Sequence, residues 1–252
     1  PHVGRIAIHD LAIRDVTKMM ATLIDNGLSP RYVAEIRGVL RAALNYAIGE
    51  ERVERNVAEK ARPPRIERTE QKALTADQVR SLFAALDGER LRPLIITVTS
   101  LGLRRGEAMA LRWEDVDLDG ATVTIRRTGK RIAGEYVEGA PKSEKSRRSI
   151  SLPSPVVAVL RQQRVALAEE RLKAGPMWTD EDRVFPAENG GPLGATSIRK
   201  ALDRSLQKAN LPRIRIHDLR HSAASVAIMA GASLRDVQEM LGHSSYALTA
   251  DL

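Results

Sequence analysis

Four short polar clusters in this chain carry the side chains needed to hold a phosphodiester and to move protons on its oxygens. They are Leu103-Arg104-Arg105-Gly106-Glu107, Pro141-Lys142-Ser143, His217-Asp218-Leu219-Arg220-His221 and Leu241-Gly242-His243. An arginine forks two charge-assisted hydrogen bonds onto phosphate oxygens. A lysine can protonate a leaving oxygen, and a histidine titrates near neutrality and can accept a nucleophile's proton. Arg104 follows a break at Gly102 and stands near a helix start, where anions are favoured; Glu107, one turn on, can hold its guanidinium. His217, Arg220 and His221 are spaced i, i+3 and i+4, on one face of a helix start. That spacing would also suit zinc. However, no Glu follows the first histidine, and an arginine between two ligands would repel a cation, so no metal is expected. Plainer readings stand beside these. Arg104 and Glu107 can be a surface ion pair, the segment holding Lys142 a solvated hairpin, and His221 a packed or capping residue. His243, after the helix-ending Gly242, suits either a phosphate or the helix dipole.

Bulk properties narrow the partner. The 252 residues carry a net charge of +8, which favours a polyanion through phosphate contacts and counterion release. Aromatic residues are only 3%, which argues against a base-stacking platform for single strands and leaves duplex DNA as the better partner. There are no cysteines, so disulfides and thiolate metal sites are excluded, and a cytoplasmic setting is expected. No apolar run approaches the roughly 18 residues of a membrane span. The opening Pro1-His2-Val3-Gly4 does not read as a signal peptide; it reads as an internal cut.

The elements that position the clusters can be read from periodicity. Residues 11–60 read as helices: Val16, Met19, Met20, Leu23 and Ile24 recur at three and four, and Ser29-Pro30 opens a second helix with Val33, Ile36, Leu40 and Leu44 on its apolar face. Arg31, Arg37 and Arg41 lie off that face and are candidate DNA-backbone contacts. A proline-bearing, charged linker at 63–73 then separates residues 1–62 from a second unit at 74–252. Thr75-x-x-Gln78 is a capping box, Leu94–Thr99 is a buried apolar run, and after Gly102 a helix carries Glu107, Met109 and Leu111. Residues 122–126 and 147–152 alternate as strands of a small antiparallel sheet, with an irregular basic connection between them. Arg126, Arg127, Lys130, Arg131, Lys145, Arg147 and Arg148 in this region are further candidate DNA contacts. Helices are expected at 154–173, 195–209, 217–230 and 233–241, with a loop at 188–192. The fold class is therefore mainly α with a small antiparallel β-sheet, α+β.

The order of the clusters resembles that of the tyrosine recombinases, the phage integrase family. Leu101-Gly102-Leu103-Arg104-Arg105-Gly106-Glu107-Ala108-Met109-Ala110-Leu111-Arg112-Trp113-Glu114-Asp115-Val116-Asp117 is similar to the family's first arginine box. His217-Asp218-Leu219-Arg220-His221 matches its His-x-x-Arg box, and Leu241-Gly242-His243-Ser244-Ser245 its third box. Pro141-Lys142-Ser143 with Ser146-Arg147-Arg148 looks like its lysine hairpin. The resemblance covers residues 74–252 as a mixed α/β catalytic domain and implies a partial helical core-binding domain at 1–62.

The resemblance implies site-specific strand cleavage and rejoining through a 3′-phosphotyrosyl link, without metal or other cofactor. Arg104 and Arg220 would clamp the scissile phosphate, Lys142 would be the general acid, and His217 the general base. His243 would hydrogen-bond the phosphate, and Glu107 would support the site. The partner implied is a duplex recombination site, with a homotetramer on synapsed DNA, and a bacterial or phage-encoded protein of a mobile element, monomeric in solution as it stands. In the family the nucleophilic tyrosine lies nine or ten residues beyond the third-box histidine, where this chain has Leu252. Tyr246 is too close to His243 for that role and is expected to pack. The expectation is thus a chain cut just before its nucleophile and lacking its C-terminal tail. A DNA-binding accessory protein of the same fold and a type IB topoisomerase are the alternatives.

Overall fold

The computed structural model describes residues 2–66, 73–140 and 147–242. The chain divides into two units, Pro1–Glu70 and Gln71–Leu252.

The first unit is built on two amphipathic helices. Helix α1 (Ile13–Asp25) buries Val16, Met19, Met20 and Leu23, the stripe expected from their spacing. Helix α2 (Pro30–Gly49) starts where Ser29 accepts a hydrogen bond from Tyr32 N and Pro30 occupies the first turn. It buries Val33, Leu44 and Ala47. The short helix α3 (Val57–Lys60) is capped by Asn56 and tied to α2 by Arg37, which donates to the carbonyls of Ala61 (2.7 Å) and Glu59 (3.0 Å).

In the second unit, helix α4 (Ala76–Ala85) opens on the reciprocal Thr75–Gln78 box, with Gln78 N to Thr75 Oγ1 at 3.3 Å and Thr75 N to Gln78 Oε1 at 3.0 Å. The apolar run becomes the central helix α5 (Arg92–Leu101), of which Leu94 to Thr99 and Leu101 are buried. Thr97 and Thr99 survive there because their hydroxyls donate to the carbonyls of Pro93 and Ile95, one turn back. Helix α6 (Arg105–Met109) is short and stops before Leu111, which the sequence had placed on it. Residues up to Leu111 pack into the same core, but as a turn: Ala110 N is shared between the Gly106 and Glu107 carbonyls.

Strands β1 (Val116–Asp117) and β2 (Thr122–Ile125) lead to the hairpin strands β3 (Thr128–Ile132) and β4 (Glu135–Gly139), and then to β5 (Arg148–Ser151). The main sheet has the antiparallel order β1-β2-β5, in the register Val123↔Ile150 and Ile125↔Arg148. Val123, Ile125 and Ile150 face the core, and Thr122, Thr124 and Ser149 face away. The expected irregular connection is corrected: it contains a two-stranded hairpin, turning at Ala133 (φ 49°) and Gly134 (φ 90°). Two successive positive φ values in a two-residue loop match the twist of paired strands. The strands escape a pattern search because Thr128-Gly129-Lys130-Arg131-Ile132 has almost nothing apolar to alternate.

Helices α7 (Ser154–Ala174), α8 (Ala195–Lys208), α9 (Asp218–Met229) and α10 (Leu234–Leu241) complete the unit. Helix α5 lies against both α7 and α9, and α10 packs on α9 and β5. One hydrophobic core, including Leu82, Ile95, Leu160, Ile198 and Leu219, joins the helices to the inner face of the sheet. Among the described residues, no helix is long and apolar enough to cross a membrane.

Candidate active site

The C-terminal end of α10 is where the separate clusters meet. A helix leaves its last carbonyls without intrahelical partners and carries partial negative charge at that end. In this chain three arginines from three segments donate to three successive carbonyls. Arg148 Nε reaches Met240 O at 2.8 Å, Arg220 Nη2 reaches Leu241 O at 2.5 Å, and Arg104 Nη2 reaches Gly242 O at 3.1 Å. Two glycines permit this approach. Gly102 ends α5 at φ +61°, and a Cβ there would lie 2.4 Å from Leu241 Cδ2. Gly242 ends α10 at φ +63°, and a Cβ there would lie 3.1 Å from Arg148 Cδ.

Arg220 is 2% exposed on the first turn of α9. Its Nη1 donates to Gly102 O at 2.6 Å, so its guanidinium bridges the ends of α5 and α10. Burial, and then the nearby Arg104 charge, push it down to about 9, so it remains a cation at neutral pH. Arg104, the residue before α6, has a side chain 37% exposed. Two of its N–H groups go to Glu107 Oε1 (2.8 Å) and Gly242 O, which leaves others for an incoming anion.

Among the described residues, Glu107 is the carboxylate that these arginines share, and it is buried. Oε1 accepts from Arg104 Nη1 and from Arg148 Nη1 (3.1 Å); Oε2 accepts from Arg104 N (2.9 Å) and from Arg148 Nη2 (2.9 Å). Burial pushes its carboxyl up, but the hydrogen bonds and charge of Arg148 and the hydrogen bonds of Arg104 prevail and hold it below the ordinary carboxylate value.

His217 is the residue before α9 and is exposed. Partial desolvation and then the Arg220 charge hold its imidazole below the ordinary value, so it is neutral near pH 7 and able to accept a proton. His221 lies edge-to-face with it, ring centroids 5.1 Å apart, and its own ring is lowered by burial and then by His217. Among the described residues, no three histidines, cysteines or carboxylates come together as a metal site.

The structure therefore brings Arg104, Glu107, His217 and Arg220 to one place. Lys142, Lys145, His243 and Tyr246 lie outside the described residues. Of the candidate DNA contacts, Arg31, Arg41, Arg126, Lys130, Arg131 and Arg147 are exposed. Arg37 is half-buried and bound to α3, and Arg127 is paired with Glu114 (2.6 Å) and Asp115 (3.4 Å). Arg148 is a correction. Its register opposite Ile125 turns it inward, and its side chain is only 7% exposed, so it is an internal part of the site and not a surface contact.

Sequence reasoning also missed the anchorage of the hairpin. Tyr136 donates to Met109 O at 3.1 Å, and Glu138 takes Arg183 at 2.7 Å and Arg112 at 3.1 Å. This fixes β4 against α6, just before the segment that holds Lys142. Tyr136 and Glu138 sit two apart on one strand, but nothing in the sequence points to Arg183 as their partner.

Comparison with known proteins gives the family and the fold. The sequence profile of the phage integrase family matches residues 72–251. An integrase of Streptomyces ambofaciens is 30% identical over 269 residues, covering all of this chain and 66% of its own length. A tyrosine recombinase XerC-like protein of Caldanaerobacter subterraneus subsp. tengcongensis is 27% identical, covering 91% of this chain and 63% of its own length. The chain thus spans just under two thirds of these relatives. Among solved structures, the Tn1549 transposon integrase in complex with a circular intermediate DNA superposes with a TM-score of 0.84 at 21% identity, over 100% of this chain and 83% of that one. A lambda integrase tetramer bound to a Holliday junction gives 0.67 at 19%, over 94% and 66%. At these identities the structural likeness establishes the fold.

Proposed function

The chain belongs to the phage integrase family, and on that premise we propose that it is the core of a site-specific DNA recombinase that cleaves and rejoins duplex DNA through a 3′-phosphotyrosyl intermediate. The observation that carries this reading is the arginine pair. Arg104 and Arg220 are held side by side on the end of α10, next to His217, whose imidazole desolvation and the Arg220 charge hold below its ordinary value. Among the described residues, Arg148 brings a third guanidinium to Glu107. A site so rich in guanidiniums suits a phosphodiester whose charge grows as a fifth oxygen approaches phosphorus.

In this reading Arg104 and Arg220 bind the non-bridging oxygens, and His217 accepts the proton of the attacking tyrosine. Lys142 gives a proton to the departing 5′-oxygen, and His243 hydrogen-bonds the phosphate. No metal is needed, because the arginines supply the charge. The exposed arginines of α2 and of the 126–147 segment hold the flanking phosphates. The protein works in the cytoplasm of a bacterial cell on a mobile element's DNA, and four copies assemble on two synapsed duplexes.

The test is strand cleavage on a nicked duplex by a recombinase carrying these residues and its tyrosine, read as an SDS-resistant protein–DNA adduct. Arg104→Ala and Arg220→Ala are each expected to slow adduct formation by at least about a hundredfold, the loss typical of one oxyanion donor. Near-normal rates in either variant reject the assignment. Duplex binding with no cleavage in any form of the enzyme would favour an accessory DNA-binding role.

A further inference from the structure

We infer that Arg148 is a positioning residue of this site: it locks Glu107 to the end of α10 and thereby keeps the remaining N–H groups of Arg104 and Arg220 available to a phosphate. The inference rests on the recombinase reading and deepens it.

Four observations support it. The register of β5 against β2 turns Arg148 inward, while Arg147, its neighbour, stays exposed. Its guanidinium forms a two-pronged pair with Glu107, at 3.1 and 2.9 Å, and its Nε donates to Met240 O at 2.8 Å. Its side chain is packed directly beneath Gly242, the residue before His243, so closely that any Cβ at 242 would press on it. Finally, Glu107 is nearly surrounded: Arg104 faces it from the start of α6, Arg148 from β5 and Arg220 from α9.

The physical consequence is a competition. A buried carboxylate must be neutralised, and it takes whichever cations are in reach. With Arg148 present, both Glu107 oxygens have a partner that is not needed for phosphate. Without it, Glu107 depends wholly on Arg104, which already donates to it, and draws on Arg220; the Met240 carbonyl also loses its donor, so the end of α10 is held by two arginines that are also meant to hold the DNA. Lysine cannot replace Arg148, because these contacts come from three separate nitrogens, Nε, Nη1 and Nη2, whereas the donors of an ammonium radiate from one.

The test uses the 252-residue chain and a duplex that it selects from a random pool. A neutral methylphosphonate is placed at each phosphate in turn. One position is expected to weaken wild-type binding by about tenfold or more, because both clamp arginines lose their charged partner there. In Arg148→Gln and in Arg148→Lys, binding to that neutralised duplex should stay within about twofold of wild type, while the preference for the charged phosphate should fall to about threefold or less. Adding Glu107→Gln to Arg148→Gln should restore part of the preference, because the competing charge is gone. If either single variant keeps the full preference, or if affinity for charged and neutral duplexes falls equally, Arg148 does not position the clamp. The lysine variant decides the matter where the glutamine variant does not fold. A wild-type chain that selects a duplex but shows no sensitive phosphate overturns the inference and leaves DNA binding intact. One that selects no duplex overturns the recombinase reading itself.

Discussion

Arg104 and Arg220 donate to the carbonyls of adjacent residues, Gly242 and Leu241, so the same helix end sets the spacing of both guanidiniums. They differ sharply in setting, since Arg220 is 2% exposed and the Arg104 side chain 37%. Arg220→Ala would leave a cavity and two unpaired buried carbonyls, Gly102 O and Leu241 O, and should destabilise the fold by about 3 kcal/mol or more. Arg104→Ala should cost less, about 1 kcal/mol, because Glu107 keeps its two bonds to Arg148 and the guanidinium removed is partly exposed already. Urea denaturation of the two variants checks the contrast, and equal losses would contradict the geometry.

The two glycines at the ends of α5 and α10 should tolerate no side chain. Gly242→Ala combines a left-handed backbone at φ +63° with pressure on Arg148, and Gly102→Ala would push α10 away through Leu241. Each should cost about 2–4 kcal/mol, the sum of a left-handed penalty and overpacking. Thermal melts of both variants test this; a loss below that of a typical surface substitution would mean that α10 can shift freely.

Stability should fall in two stages as pH drops. His217 and His221 are lowered from 6.5 in the fold, so between their folded values and 6.5 the unfolded chain binds more protons. Stability therefore declines as pH falls through and below 6.5. Glu107 and Asp218 are lowered too, and the stability that they contribute is present above their ordinary values and is lost as pH falls below them. Melting temperature measured from pH 8 to pH 3 should show both declines. His217→Gln with His221→Gln should abolish the first and leave the second.

DNA binding should depend on salt and not on divalent metal. If roughly six phosphates are neutralised, affinity should drop by about a thousandfold between 50 and 200 mM salt. Binding titrations across that range with EDTA present decide both points. Loss of binding on chelation would revive a zinc role for the His217/His221 pair, and a flat salt response would remove the case for a phosphate-gripping surface.

Lys142 is proposed as the general acid in preference to Lys130 or Lys145. A 5′-phosphorothiolate substrate has a leaving group that needs no proton. It should rescue cleavage by Lys142→Ala and give little differential benefit to the other two variants. Selective rescue at Lys130 or Lys145 would move the role there. Lys130 stands exposed on β3, remote in sequence from the Pro141-Lys142-Ser143 frame.

The sequence by itself determined the helices and the identity of the clusters, because these are local. The capping pairs Thr75–Gln78 and Ser233–Asp236, the proline after Ser29 and the glycine after Leu241 are each readable within a few residues, and each marks a helix end in the structure. The alternation of Thr122–Ile125 was equally local. The β3–β4 hairpin was not legible, because its strands carry charge where a pattern search needs apolar residues. Their stability comes from the contacts of Tyr136 and Glu138 with Met109, Arg112 and Arg183, which are distant in sequence. The two roles in Arg147-Arg148 could not be separated either. Neighbouring arginines look alike in a sequence, and only the register of β5 on β2 sends one outward and the other under α10. Residue type and spacing select which groups can do phosphate chemistry. Which carbonyl or carboxylate each arginine faces depends on long-range packing, and that was decided only when the ends of α5, α6 and α10 met.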